Sequence, residues 1–159
     1  MLAGVDQPIL GRRLEVVGTS FLKILLFVEM ELSENQISHV VMQASIQVHK
    51  HLGPGLFESV YQSCLAYELE KAGLSVQSEV VLPVRYKELL LKEAFKVDIL
   101  VNDSVILELK AVSELHQMHY TQLTTYLKLS NKRLGLLINF GGLRLMDGFK
   151  RIVNNLDDD

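Results

Sequence analysis

The run Lys96-Val-Asp-Ile-Leu-Val-Asn-Asp-Ser-Val-Ile-Leu-Glu-Leu-Lys110 constrains this chain more than any other: two β-branched apolar stretches flank Asn-Asp-Ser, which has the composition of a turn. It predicts a β-hairpin. Side chains alternate faces along a strand, so Lys96, Asp98 and Leu100 should share one face of the first arm, and Ile106, Glu108 and Lys110 one face of the second. Burying charges inside such runs costs several kcal/mol, roughly, unless they are paired or hold a metal ion. Register decides whether they meet. A two-residue loop sets Asp98 against Leu107, whereas a three-residue loop, Asn102 to Ser104, sets Val101 against Val105 and Asp98 against Glu108. In the second case two carboxylates and an ammonium converge, an oxygen-donor arrangement suited to Mg²⁺ or Mn²⁺ with a lysine to orient or deprotonate a water. The alternative is a solvated face on which Lys96 and Lys110 pair with the acids.

The flanking sequence supplies the rest of a domain. Ser33 with Gln36 is a capping-box signature, and Ile37, Val40, Val41, Ala44, Val48 and Leu52 recur behind it at helical spacing, predicting a helix over 34–52. Gly53-Pro54-Gly55 turns the chain into a second helix ending near Ala72-Gly73. On it Glu58 joins the stripe Tyr61, Leu65, Leu69, Ala72, so the carboxylate should point to the core side and need a partner. A strand over 75–86, with Pro83 at an edge or bulge and a turn at Lys87-Glu88, leads into the Asp98 arm, giving a three-stranded meander. A helix over 116–129 carries His119, Gln122 and Tyr126 on one polar stripe. Leu134 to Asn139 suits a buried strand, and Leu143 to Val153 a last strand or short helix.

Charge and cysteine content narrow the partners. A formal net charge of −3 provides no overall basic field for nucleic acid, although a local basic patch or a bound divalent ion can offset it. The single cysteine, Cys64, excludes an intrachain disulfide and a multi-thiolate zinc site, and suits a reducing cytoplasm. Residues 1–29 form an N-terminal extension that lacks a signal-peptide cleavage site and whose apolar run is too short to span a bilayer. Met30 precedes the first helix start, which points to a start assigned too far upstream; the alternative is an extra strand or helix over 21–28. A domain over 30–156 and an acidic tail over 157–159 complete the organisation.

The ordered set Glu58, Asp98, Glu108-x-Lys110 and Gln122-x-x-x-Tyr126 resembles the PD-(D/E)XK nuclease superfamily, and more narrowly its GxxExxxY family. Gly55-Leu-Phe-Glu58-Ser-Val-Tyr61 matches the name motif, followed by Val97-Asp98-Ile-Leu-Val, Leu107-Glu108-Leu-Lys110-Ala-Val, Gln122-Leu-Thr-Thr-Tyr126-Leu and Gly135-Leu-Leu-Ile-Asn139-Phe140. The resemblance covers roughly 33–155 and implies an α/β restriction-endonuclease-like core, a mixed central sheet flanked by helices. It also implies metal-dependent phosphodiester hydrolysis of DNA. Asp98 and Glu108 would ligate Mg²⁺ (or Mn²⁺), Glu58 would be a further ligand or support, and Lys110 would orient the attacking water or stabilise developing charge. Gln122 and Tyr126 would contact the phosphate backbone, as in the RecB-like branch. His49 and His119 are auxiliary ligands or, more simply, framework histidines, and Lys96 stands where arginine is expected. The alternatives are a nuclease-fold interaction or nucleic-acid-binding module with little turnover, and a hydrolase of small nucleotides. The acidic charge and the lack of an appended DNA-reading domain favour a chain that works with a protein partner or a second copy.

Overall fold

The capping box opens the fold. In the computed structural model, which describes residues 32–156, Ser33 Oγ accepts the Gln36 N–H at 3.3 Å and Gln36 Oε1 accepts the Ser33 N–H at 2.9 Å. Helix α1, Glu34–Leu52, follows, and the Gly53-Pro54-Gly55 turn, with both glycines at positive φ, leads to helix α2, Glu58–Lys71. Ala72 does not join the buried stripe. It is exposed and terminates α2, because Gly73 at φ 87° turns the chain away.

Strand β1, Val76–Tyr86, pairs antiparallel with β2, Leu89–Val101, with a register shift between Leu82 and Val84 where Pro83 was expected to mark a bulge. The hairpin to β3, Val105–Lys110, has the three-residue loop: Val101 pairs with Val105, Leu100 with Ile106 and Ile99 with Leu107. Asn102 and Asp103 both adopt left-handed φ, which short polar side chains tolerate, and Asn102 Oδ1 accepts the Ser75 N–H at 2.8 Å. Helix α3, Gln117–Ser130, then crosses to β4, Leu134–Asn139, which runs parallel to β3. The C-terminal segment forms both expected elements, the short helix α4, Leu145–Gly148, and the antiparallel edge strand β5, Phe149–Val153.

The five-stranded sheet has the order β1-β2-β3-β4-β5. On one face Ile37, Val41 and Val48 of α1 and Tyr61, Leu65 and Leu69 of α2 pack on Leu107, Leu109, Leu136 and Ile138. On the other, Leu123 and Leu127 of α3 pack on Leu100, Ile106 and Leu137. Every residue of β4 is buried, as a continuous apolar run between two helical layers requires. This is the expected α/β fold with a mixed sheet flanked by helices. Among the described residues no helix is long and apolar enough to cross a membrane. The expectations for residues 1–29, including a strand or helix over 21–28, and for the tail 157–159 lie outside the described residues.

Candidate active site

The site forms where β2 and β3 part. Their pairing stops at Ile99 and Leu107, and the next amide of β3, Leu109 N–H, donates to Asp98 Oδ2 at 2.7 Å. The expected common face for Lys96, Asp98 and Leu100 is not found. Val97 and Leu100 both pack beneath α3 while Ile99 packs on the opposite face, so the alternation breaks at Asp98. The cause lies across the ladder. Ser78 pairs with Ile99 and Val80 with Val97, but Glu79, opposite Asp98, takes a left-handed φ of 54°, and the ribbon exchanges its faces there. Asp98 is thereby turned toward the amide edge of β3. Lys96 pairs at 3.0 Å with Glu79, both side chains more than half exposed, and its charge still acts on Asp98.

Glu108 and Lys110 share the α3 face of β3, as the period of two dictates, with Lys110 Nζ 2.6 Å from Glu108 Oε1. Glu108 is 3 % exposed, and its Oε2 is the sole buried side-chain oxygen or nitrogen among the described residues that lacks a hydrogen-bond partner. Burial, and then the charge of Asp98, push its carboxyl up to about 7 against the ammonium beside it. Burial also raises the Asp98 carboxyl, opposed by Leu109 N–H, Lys110 and Lys96. On Lys110 burial acts downward, but the bond to Glu108 and the charges of Glu108, Glu58 and Asp98 together hold the ammonium above its ordinary value. Three acids thus crowd one ammonium.

Glu58 reaches this cluster from the start of α2. Its carboxyl is raised by burial and by Asp98, and lowered by Lys110 and by a hydrogen bond from Ala111 N–H, so it stands beside the end of β3. Tyr61 explains how it is aimed. The ring is fully buried and stacks on Phe140 at 4.7 Å, while its hydroxyl donates to Gly53 O at 2.7 Å and accepts Leu56 N–H at 3.1 Å. One side chain therefore ties the Gly-Pro-Gly turn to the helix that presents Glu58. The spacing Gly55-x-x-Glu58-x-x-Tyr61 has one residue fewer between Glu58 and the tyrosine than GxxExxxY requires, and position 62 is Gln62. A tyrosine at i+3 from Glu58 is what brings the hydroxyl back over the turn.

Gln122 and Tyr126 hydrogen-bond to each other, Nε2 to OH at 2.8 Å, and Tyr126 stacks at 4.4 Å on Phe95, three residues before Asp98. Tyr126 packs with Phe95 of β2 on the sheet face that α3 covers, and the hydrogen bond joins Gln122 to Tyr126 rather than to Asp98, Glu108 or Lys110. The two histidines are framework groups: His49 Nε2 donates to Gly142 O at 2.8 Å, and His119 Nδ1 accepts His116 N–H at 3.1 Å to cap α3. His119 nevertheless feels the site, since burial and then the Lys110 and His116 charges lower its pKa.

Two positioning groups escaped the sequence reading. Gln62, one turn after Glu58, donates from Nε2 to Asp98 O at 3.0 Å, so α2 grips both sides of the split. The period of 3.6 placed Gln62 beside Glu58, but only the packing of α2 across the sheet supplies its acceptor. Asn139, 4 % exposed, accepts Val112 N–H and Gly141 N–H and donates to Val112 O, while Phe140 N–H donates to Lys110 O at 2.7 Å. A Cβ on Gly141 would collide with the Val112 main chain, so the segment after Lys110 is held flush to the end of β4.

Among the described residues no group of three His, Cys, Asp or Glu side chains is gathered closely enough to hold a metal ion, so Asp98, Glu108 and Glu58 are neighbours and not a closed ligand set. Lys110 bonds to Glu108, and Leu109 N–H to Asp98. The donor chemistry still suits a hard divalent cation: oxygens only, mutual repulsion, and an unpartnered buried oxygen on Glu108.

Neither curated proteins nor solved structures supply a match to the chain. A family model described as the PD-(D/E)XK nuclease superfamily matches residues 35–152, a span that begins in α1, ends in β5 and contains every residue of the cluster. The matched span holds the split between β2 and β3, with Asp98 on one side and Glu108-x-Lys110 on the other, and the chain belongs to the PD-(D/E)XK nuclease superfamily.

Proposed function

We propose that this chain hydrolyses phosphodiester bonds of DNA with Mg²⁺ or Mn²⁺, and that within the superfamily it stands beside the GxxExxxY proteins despite the shorter tyrosine spacing. The observation that carries the proposal is Glu108 Oε2, buried without a partner on a carboxyl whose other oxygen holds Lys110 and which feels the charge of Asp98. Such an oxygen costs about 1–3 kcal/mol, more if charged, unless a cation completes it. Asp98 and Glu108 would hold the ion, with Glu58 as a third ligand or a support; when bound, it would acidify a water and offset phosphate charge. Lys110 carries no lone pair for a cation while charged, so its part is to orient the attacking water and to meet negative charge developing on the phosphate. Gln122 and Tyr126 would steady the backbone of the substrate.

A titration of Mg²⁺ and Mn²⁺ against melting temperature, run beside cleavage of single- and double-stranded DNA, tests this. The parent should gain stability, about 2.7 kcal/mol at 100-fold excess over Kd, and should cleave. Asp98→Asn keeps an acceptor for Leu109 N–H and should lose both responses without loss of metal-free stability. Lys110→Ala should keep the thermal shift and lose turnover by at least roughly 100-fold. A parent whose melting and whose DNA are both indifferent to divalent ions would return the chain to a binding module with the nuclease fold.

A further inference from the structure

Phe57 is the residue immediately before Glu58, and its side chain is 84 % exposed. The ring is not on a loose loop. Its main chain is clamped: Val60 N–H donates to Phe57 O at 3.0 Å, and Leu56 N–H donates to the buried Tyr61 hydroxyl. The main chain that carries the ring is therefore fixed, one residue before Glu58. Leu143, 90 % exposed, follows Gly142, whose carbonyl is fixed by His49 and whose strand end is stacked through Phe140 on Tyr61. Phe57 and Leu143 are thus both presented to solvent.

We infer that Phe57 is a stacking platform for a nucleobase, and that the substrate of this site is single-stranded nucleic acid or an unpaired end rather than intact duplex. The inference rests on the proposed phosphodiester chemistry. A phosphate at Lys110 and Glu58 places the adjoining base one sugar away, within reach of the residue next to Glu58. The charge balance points the same way. With 19 acidic against 16 basic side chains, the chain has no net surplus of cations for a phosphate backbone, which favours added affinity from contacts that a strand with free base faces can make and a stacked duplex cannot.

Binding of a fluorescein-labelled oligothymidine and of a blunt duplex, read by anisotropy with the full chain in Ca²⁺, separates this from the catalytic proposal because no cleavage is needed. Phe57→Ala should weaken the single strand by about 5- to 150-fold, the roughly 1–3 kcal/mol of one stacked base, while duplex binding changes less than about twofold. Phe57→Trp should restore the single-strand affinity, and Glu58 variants should not mimic the strand selectivity. Equal losses on both substrates, no loss on either, or no binding by the parent would overturn the inference. A change of sedimentation from oligomer to monomer in Phe57→Ala would overturn it in favour of a second copy covering the ring. If the parent binds single strands through Phe57 yet cleaves nothing with Mg²⁺ or Mn²⁺, the platform stands and the proposed hydrolysis fails.

Discussion

Glu108 shows how one residue's cost becomes a site's property. Its carboxyl, at about 7 in the fold against an ordinary value of 4.5, binds a proton more tightly folded than unfolded. A raised carboxyl contributes its full stability below pH 4.5 and loses it progressively as pH rises through about 7. The loss is at most about 3 kcal/mol, with the opposing Lys110 bond already counted in the raised value. Glu108→Gln should therefore stabilise the metal-free protein by about 1–2 kcal/mol at pH 8 and by almost nothing at pH 4.5, measured by urea denaturation with chelator present. An equal effect at both pH values would mean that the oxygen is no burden. Asp98 belongs to a different case: its carboxylate has a main-chain amide to accept, so its replacement by Ala removes a partner as well as a charge.

At the scale of elements, α2 is the part that assembles the site. Glu58 meets Ala111 N–H beyond β3, Gln62 holds the Asp98 carbonyl on β2, and Tyr61 fastens the helix start to Gly53. Tyr61→Phe keeps the stack on Phe140 and deletes only the hydroxyl. We expect a loss of about 1–2 kcal/mol, for the two hydrogen bonds, in chemical denaturation, with a larger proportional fall in metal-dependent cleavage as Glu58 loses its aim. A variant as active as the parent would show that the turn holds Glu58 without the hydroxyl. The hairpin makes a matching contribution. Its loop sets Glu108 and Lys110 on the α3 face, and deleting one loop residue would carry them to the apolar face beneath α1 and α2.

At the scale of the molecule, residues 33–156 lie in one compact unit, Ser33–Asp159, which starts at the α1 capping box. We propose that a fragment from Met30 onward is sufficient for the site. It should melt within a few degrees of the full chain and show the same Mg²⁺-dependent rise; loss of the rise would assign residues 1–29 a part in metal binding. Much of this architecture was legible in the sequence because it follows from local rules: periodicity identified α1, α2, α3 and the buried β4, the Asn-Asp-Ser composition marked the hairpin turn, and alternation put Glu108 and Lys110 together, while the choice of a three-residue loop and its Val101–Val105 register came with the structure. These depend on near neighbours and on steric preferences of the backbone. Three things depend instead on residues distant in the chain. The face of Asp98 was decided by Glu79 across the ladder, whose left-handed backbone reverses the ribbon. The partner of Gln62 was decided by the seating of α2 on the sheet, and the fit of Gly141 by the approach of Val112. The ordered set of residues pointed to the chemistry, whereas the distances among its charges, and the buried oxygen left unpaired on Glu108, arose only when β2, β3 and α2 were brought together, because desolvation and Coulomb repulsion act through space and not along the chain.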